Sequence, residues 1–321
     1  MELYPLIFKP ILKDRIWGGT KLETYLGKEG LPTRTTGESW ELSAVPGDIS
    51  FVRDGVYKGR GLTGLLEEFP EEILGARVYS QFGNQFPLLF KFLDAREDLS
   101  IQVHPNDELA KKRHNSFGKT EMWYVMQADD DARIIVGFKN KSGPEEYLGH
   151  LKDKNLTEIL NEVKVKKGDV FFLETGTIHA IGAGIVIAEI QQTSDITYRI
   201  YDWDRVDAEG KSRELHVEQA LDAMNYNTTD AQKQYAKVLN TGNEMVKCPY
   251  FTTNYFPLAG NAGIKKDGNS FTVYICTEGS YELKTIGKSY AFKKGDTVLV
   301  PAFIKDFELD GDAVLLEIYI S

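Results

Sequence analysis

Lys166-Lys167-Gly168-Asp169-Val170-Phe171-Phe172-Leu173 returns, in altered form, as Lys293-Lys294-Gly295-Asp296-Thr297-Val298-Leu299-Val300. In both copies a charged turn built around glycine feeds a short apolar run, the pattern of a turn leading into a buried strand. The likeness extends upstream, where Trp123-Tyr124-Val125-Met126 resembles Val273-Tyr274-Ile275-Cys276. Two related β units in one chain predict two jelly-roll modules, each pairing its sheets face to face. In this register Glu121 corresponds to Phe271 and His179 to Asp306, so the second copy is expected to keep the strands and lack the polar chemistry of the first. The polar stretch Asn225 to Gly242 suits the junction, which divides the chain into residues 1–238 and 239–321.

The rest of the chain fits a mainly β framework. Its 321 residues exceed one ordinary core. Phe86 to Leu93, Arg133 to Phe138, Ile185 to Ile190 and Val314 to Ile320 are short and rich in Val, Ile, Phe and Tyr, as half-buried strands require. Helices read as insertions. Asn106 caps one that opens on Asp107 and Glu108, carries Lys111, Lys112 and Arg113, and stops near Gly118, a charge order that complements the helix dipole. Others are expected over Leu62 to Leu74, interrupted at Pro70, over Glu214 to Met224, and from Pro144 to about Val163 with a break near Asp153 to Asn155.

A formal charge of -10 disfavours a nucleic-acid or acidic-membrane surface, so an anionic substrate needs a local basic pocket. Cys248 and Cys276 form no paired motif, which suits a reducing compartment. Lys9, Lys13, Asp14 and Arg15 interrupt the apolar start, unlike a signal peptide, and no stretch has membrane-spanning length. A cytoplasmic protein is expected.

Four short segments carry chemistry. In Ser100-Ile101-Gln102-Val103-His104-Pro105 the alternation puts Ser100, Gln102 and His104 on one strand face. A lone histidine near a strand end is usually just hydrogen-bonded; His104 has company. Lys119-Thr120-Glu121-Met122-Trp123-Tyr124 offers one cation and one carboxylate with equal parity, a pair that on a surface is worth little. Gly176-Thr177-Ile178-His179-Ala180-Ile181 presents a histidine among small and apolar residues, where it is either hydrogen-bonded or coordinated. Together Gln102, His104, Glu121 and His179 make a mixed nitrogen and oxygen set suited to Zn, Mn, Fe or Ni. In Ser194-Asp195-Ile196-Thr197-Tyr198-Arg199-Ile200-Tyr201, Asp195, Thr197 and Arg199 share a face, with Glu189 and Gln191 approaching on the same parity. An inward guanidinium needs an anion: either Asp195 or Glu189 in a core ion pair, or a phosphate or enediolate oxygen.

These motifs, in order from Pro10 through Arg205, resemble the type I mannose-6-phosphate isomerases (phosphomannose isomerases) in their short bacterial form, members of the cupin superfamily. The resemblance implies a double cupin of two jelly-roll β-barrels with inserted helices. It implies one zinc ion, or another divalent metal, held by Gln102, His104, Glu121 and His179, and an interconversion of mannose 6-phosphate and fructose 6-phosphate. Lys119 and Arg199 would occupy the catalytic cavity with Asp195 near Arg199. Some members carry histidine just before the lysine; here the residue is Gly118.

That reaction removes a proton beside a carbonyl and returns it to the next carbon through an enediolate. The metal, Lys119 and Arg199 supply positive charge, and either a carboxylate or hydroxide on the metal serves as base. Lys91, Ser100 and Lys119 are candidates for the phosphate, although Lys91 equally suits a strand surface. The alternatives are an isomerase for another sugar, an oxygenase cupin, which tends to use more histidine, and a sugar-binding protein without turnover. A phosphorylated sugar is the expected partner, with no nucleic acid or membrane. His114 is expected to be solvated on its helix, and His150 and His216 to lie in helical, charged surroundings; Trp17 is read as packing or cavity lining, and Glu38 and Glu41 stay open.

Overall fold

In the computed structural model, which describes residues 3–207, 209–285 and 287–321, the alternating segments form three main sheets. A seven-stranded sheet runs, in spatial order, Ile11–Asp14, Thr36–Leu42, Leu88–Ala95, Ile185–Gln192, Glu121–Ala128, Val170–Leu173 and Gln232–Lys233. A five-stranded sheet runs Tyr198–Tyr201, Ile101–Val103, His179–Ile181, Arg133–Phe138 and Leu160–Lys164. The third sheet, built from residues 243–319, orders Asn243–Lys247, Thr252–Lys265, Asp306–Tyr319, Thr272–Thr285 and Lys288–Lys293, with Thr297–Val300 pairing on Thr272–Thr285.

The central strands of the seven-stranded sheet are buried on both faces, and their period of two sorts side chains between two cores. Inward, Leu93, Trp123, Val125 and Ile187 meet Ile134, Val136 and Ile181 of the five-stranded sheet. Outward, Phe90, Phe92, Met122, Tyr124 and Ile190 pack on Phe271, Val273, Ile275 and Leu316 of the third sheet and on the helical Leu65, Leu66 and Ile73. Phe86 and Phe271 sit with ring centroids 4.9 Å apart across this seam. Phe271→Ala is expected to cost about 3–5 kcal/mol, read as a lower urea midpoint; an unchanged midpoint would mean the seam contributes little to stability.

The backbone pairing of the two repeat copies corresponds in a register one residue away from the expected one. Gly168 and Gly295 donate backbone N–H to the carbonyls of Val125 and Cys276, and the following strands pair Leu173 with Glu121 and Val300 with Thr272. Glu121 therefore corresponds to Thr272, not Phe271. Tyr124 and Tyr274, alike in chemistry, face different cores, and the true counterpart of Tyr124 is Ile275 in the shared core. A one-residue slip flips a strand's faces.

The helices are insertions as expected, with shorter bounds. Leu62–Glu68 and Pro70–Leu74 are split at the proline. Asp107–His114 is capped by the Asn106 side chain, which accepts from Leu109 N–H at 2.9 Å, and ends on left-handed Asn115, before Gly118. Pro144–Lys152 gives way to a 3-10 turn at Leu156–Glu158; Leu160–Lys164, expected as helix, is a strand paired on Arg133–Phe138. The last helix covers Val217–Ala223 and leaves Glu214 and His216 outside it.

Candidate active site

Cross-strand register assembles the site. Arg199 lies opposite Gln102, and Gln102 opposite His179, so three side chains from distant stretches stand in a row on the five-stranded sheet. From the facing sheet Glu121, beside Gln191 and Leu173, projects toward them. His104, Glu121 and His179 are all buried, and their ligand atoms lie within 4.8 Å of one another.

Both imidazoles are oriented by backbone. His104 Nδ1–H donates to Ile196 O at 2.8 Å and His179 Nδ1–H to Thr177 O at 2.8 Å. A carbonyl only accepts, so each ring turns an unprotonated Nε2 to the centre, as metal-binding histidines do. Those atoms are 3.6 and 3.4 Å from the Glu121 oxygens. Ligand atoms about 2.1 Å from one ion at tetrahedral angles are roughly 3.4 Å apart. Gln102's amide end is 3.2 Å from His179 Nε2, and half a turn of the amide sets its carbonyl oxygen there. Neither buried Glu121 oxygen receives a well-aligned hydrogen bond. Lys119 Nζ stands 3.1 Å from Glu121 Oε2 and 3.2 Å from His104 Nε2, so part of the positive charge these donors converge on already comes from the chain.

The electrostatics agree with a cation site. Burial pushes the Glu121 carboxyl up, more than Lys119 pulls it down. Burial, then Lys119 and His179, hold His104 well below the ordinary histidine value, and burial takes His179 down to about 4. Neutral imidazoles beside a carboxylate short of donors are what a divalent metal requires, and the residues present fit one.

A cavity of about 640 Å³ opens next to the cluster, lined by Gln102 and Lys119 together with Lys91, Ser100, Asp195, Arg199 and Glu189. Its floor is a ladder of alternating charge. Arg15 Nε donates to Glu38 at 2.8 Å, Lys91 lies 3.2 Å from Glu189, and the indoles of Trp40 and Trp123 donate to Glu38 and Glu189 at 2.6 and 3.1 Å. Burial would raise Glu38, but Lys91 and Arg15 hold it at about 2; Lys91 and Lys119 likewise keep Glu189 low against burial. Burial opposes the charge on Lys119, and Glu121 and Glu189 outweigh it, raising the ammonium's value.

Arg199 pairs with neither Asp195 nor Glu189. Its guanidinium donates to Glu214 O at 3.0 Å, and its Nε is a buried donor without a partner. Asp195 is exposed on the same cavity wall. His216, expected in bland surroundings, lines the cavity and accepts the Arg199 N–H on Nδ1 at 3.2 Å. His114 is bonded to the Tyr198 hydroxyl at 2.9 Å and His150 to Asn155 at 2.9 Å, neither of them in the cavity lining. Trp17 both packs and lines, and Glu38 faces the cavity while Glu41 pairs with Lys28 outside it. Arg15 and Arg213 also face the cavity; each sits on irregular chain, where no periodicity marks it.

Residues 6–131 match the family described as phosphomannose isomerase type I, catalytic domain, and residues 241–320 the mannose-6-phosphate isomerase cupin domain. Over 320 residues the chain is 40% identical to mannose-6-phosphate isomerase ManA of Bacillus subtilis (strain 168), covering 98% of each. It is 38% identical to the mannose-6-phosphate isomerase of Streptococcus mutans, covering 97% of each. A crystal structure of the mannose 6-phosphate isomerase from Bacillus subtilis superposes with a TM-score of 0.91 at 36% identity, over 98% of this chain and 99% of that one.

Proposed function

The chain belongs to the type I phosphomannose isomerase family and interconverts mannose 6-phosphate and fructose 6-phosphate; we propose that it does so with one divalent metal ion, zinc by first choice, held by Gln102, His104, Glu121 and His179. The observation that carries the metal reading is the convergence of two unprotonated Nε2 atoms on a buried carboxylate with no well-aligned donor, beside a cavity of the right chemistry. When bound, the ion supplies positive charge to the C1 and C2 oxygens as negative charge builds on them. Residues 1–238 form the catalytic unit in this reading, and 239–321 the cupin-like unit without ligands.

The chain's own groups then divide the work. Glu189, kept ionised and facing the cavity, takes the proton from C2 and returns it to C1. Lys119 relays the hydroxyl proton from O2 to O1 and, with Arg199, stabilises the enediolate. Asp195, exposed on the wall, accepts hydrogen bonds from sugar hydroxyls. Lys91 and Ser100 remain candidates for the phosphate, with Arg213 facing the same space, whereas Lys119, also considered for it, stands beside the cluster and is kept for the reacting end. A phosphate far from the reacting carbons gives binding energy that orients them. Both cysteines are free, which suits a cytoplasmic setting; among the described residues no helix is long and apolar enough to cross a membrane.

The reading is tested by stripping the protein with a chelator and following mannose 6-phosphate isomerisation. Activity is expected to fall at least about a hundredfold, with a lower melting temperature, and to return with Zn²⁺, Mn²⁺ or Co²⁺. Full turnover at well below stoichiometric metal would end the metal reading.

A further inference from the structure

Lys119 precedes its strand, which begins at Glu121, so the sheet alone does not fix it. Its own N–H makes only a long bond, 3.3 Å, to Pro105 O. The neighbours are tied more firmly. Gly118 N–H donates to Asp107 Oδ1 at 2.8 Å, and Thr120 N–H to the Gln192 side-chain oxygen at 2.9 Å. The Gln192 amide then donates to Asp107 Oδ1 at 3.0 Å, closing a ring around Gly118-Lys119-Thr120. The fit is tight: a Cβ on Gly118 would stand 2.7 Å from Asp107 N, which accounts for the missing side chain there.

The other oxygen of Asp107 belongs to a different part of the molecule. Tyr250, in the turn between Asn243–Lys247 and Thr252–Lys265 of the third sheet, donates its hydroxyl to Asp107 Oδ2 at 2.6 Å. One carboxylate thus fastens the lysine segment with one oxygen and is itself fastened by the C-terminal unit with the other. A charge-assisted bond of this length is among the stronger ones a protein makes. We propose that Tyr250 and Asp107 are positioning residues for Lys119, through which the C-terminal unit sets the geometry of the reacting end of the cavity. This rests on the reading of Lys119 as catalytic. Lys119 Nζ must stay close to two cluster atoms at once, and a small backbone shift at the base of so long a side chain displaces it.

The test uses the full chain with its metal. Tyr250→Phe removes one hydroxyl and is expected to lower kcat by about tenfold to a hundredfold, the cost of misplacing a reacting group by a fraction of an ångström to an ångström. KM and metal content should stay close to the parent's, while the melting temperature falls modestly with the lost charge-assisted bond. In a Lys119→Met background the same change should cost nothing further, because coupled residues are non-additive. Should Tyr250→Phe fail to fold, Asp107→Ala, which removes the acceptors of both the Tyr250 hydroxyl and Gly118 N–H, gives the same kcat readout. Parent-level kcat in the soluble variant, or a full additional loss on top of a slow Lys119→Met enzyme, overturns the proposal. An undiminished Lys119→Met enzyme removes the catalytic reading of Lys119, and the proposal with it.

Discussion

His179→Ala is expected to lose its metal and to isomerise mannose 6-phosphate slower by a factor of about a thousand or more, the several kcal/mol a bound cation supplies. Several contacts go with the ring, among them those to Gln102 and to the His104 ring. The cluster loses an Nε2 that stands 3.4 Å from Glu121 Oε1, Thr177 O loses its donor, and Trp123 loses an edge-on neighbour at 5.3 Å. What is left around Glu121 is a buried carboxylate with less positive charge near it, a costly arrangement. The variant should therefore also melt earlier, and its melting should no longer respond to added Zn²⁺. His114→Ala is the matched control: that ring is exposed and bonded to the Tyr198 hydroxyl, away from the cluster, so metal and turnover should be retained. Metal analysis by mass spectrometry and steady-state turnover read both. A His179→Ala enzyme with stoichiometric metal and parental kcat would mean the cluster is not the metal centre.

The clustered donors were legible in the sequence because strand parity and short motifs are local. Gln102 and His104 stand two apart, with His104 just past the end of the strand Ile101–Val103, and Glu121 and His179 each begin a strand. The charge ladder was not legible in the same way. Glu38, Lys91 and Glu189 sit on three neighbouring strands separated by helices and loops, and only the pairing of Lys91 with Trp40 and Glu189 brings them side by side. Nothing in the local pattern of Thr36–Leu42 tells Glu38 from Glu41. Arg213 and His216 lie on irregular chain, where neither period applies. The repeat shows the opposite failure. Residue likeness aligned Tyr124 with Tyr274, whereas the backbone aligns it with Ile275, because burial selects by face and either face accepts an aromatic ring. Leu160–Lys164 misleads for a different reason: after a helix opened by Pro144, the three-residue spacing of Leu160 and Val163 continues a helical reading unless the pairing on Arg133–Phe138 is known.

Arg199→Ala should separate binding the metal from using it. The side chain neighbours Gln102 across the sheet, yet its contacts are to Glu214 O and, through the backbone, to His216, so the cluster stays intact when the guanidinium is removed. Metal content is expected at parental levels. Turnover is expected to fall by about a hundredfold to a thousandfold, the usual loss when one donor aimed at developing negative charge is deleted. The buried, unpartnered Nε is the structural reason for assigning that role: a guanidinium that is half-buried, pressed downward in basicity by burial and by Arg213, and left without a full set of acceptors is held ready for an anion. Arg199→Lys keeps the charge and loses the fork, so it should recover part of kcat. If Arg199→Ala instead turns over like the parent, the anion it faces is not on the reaction path; if it loses metal, Arg199 supports Gln102 rather than the substrate.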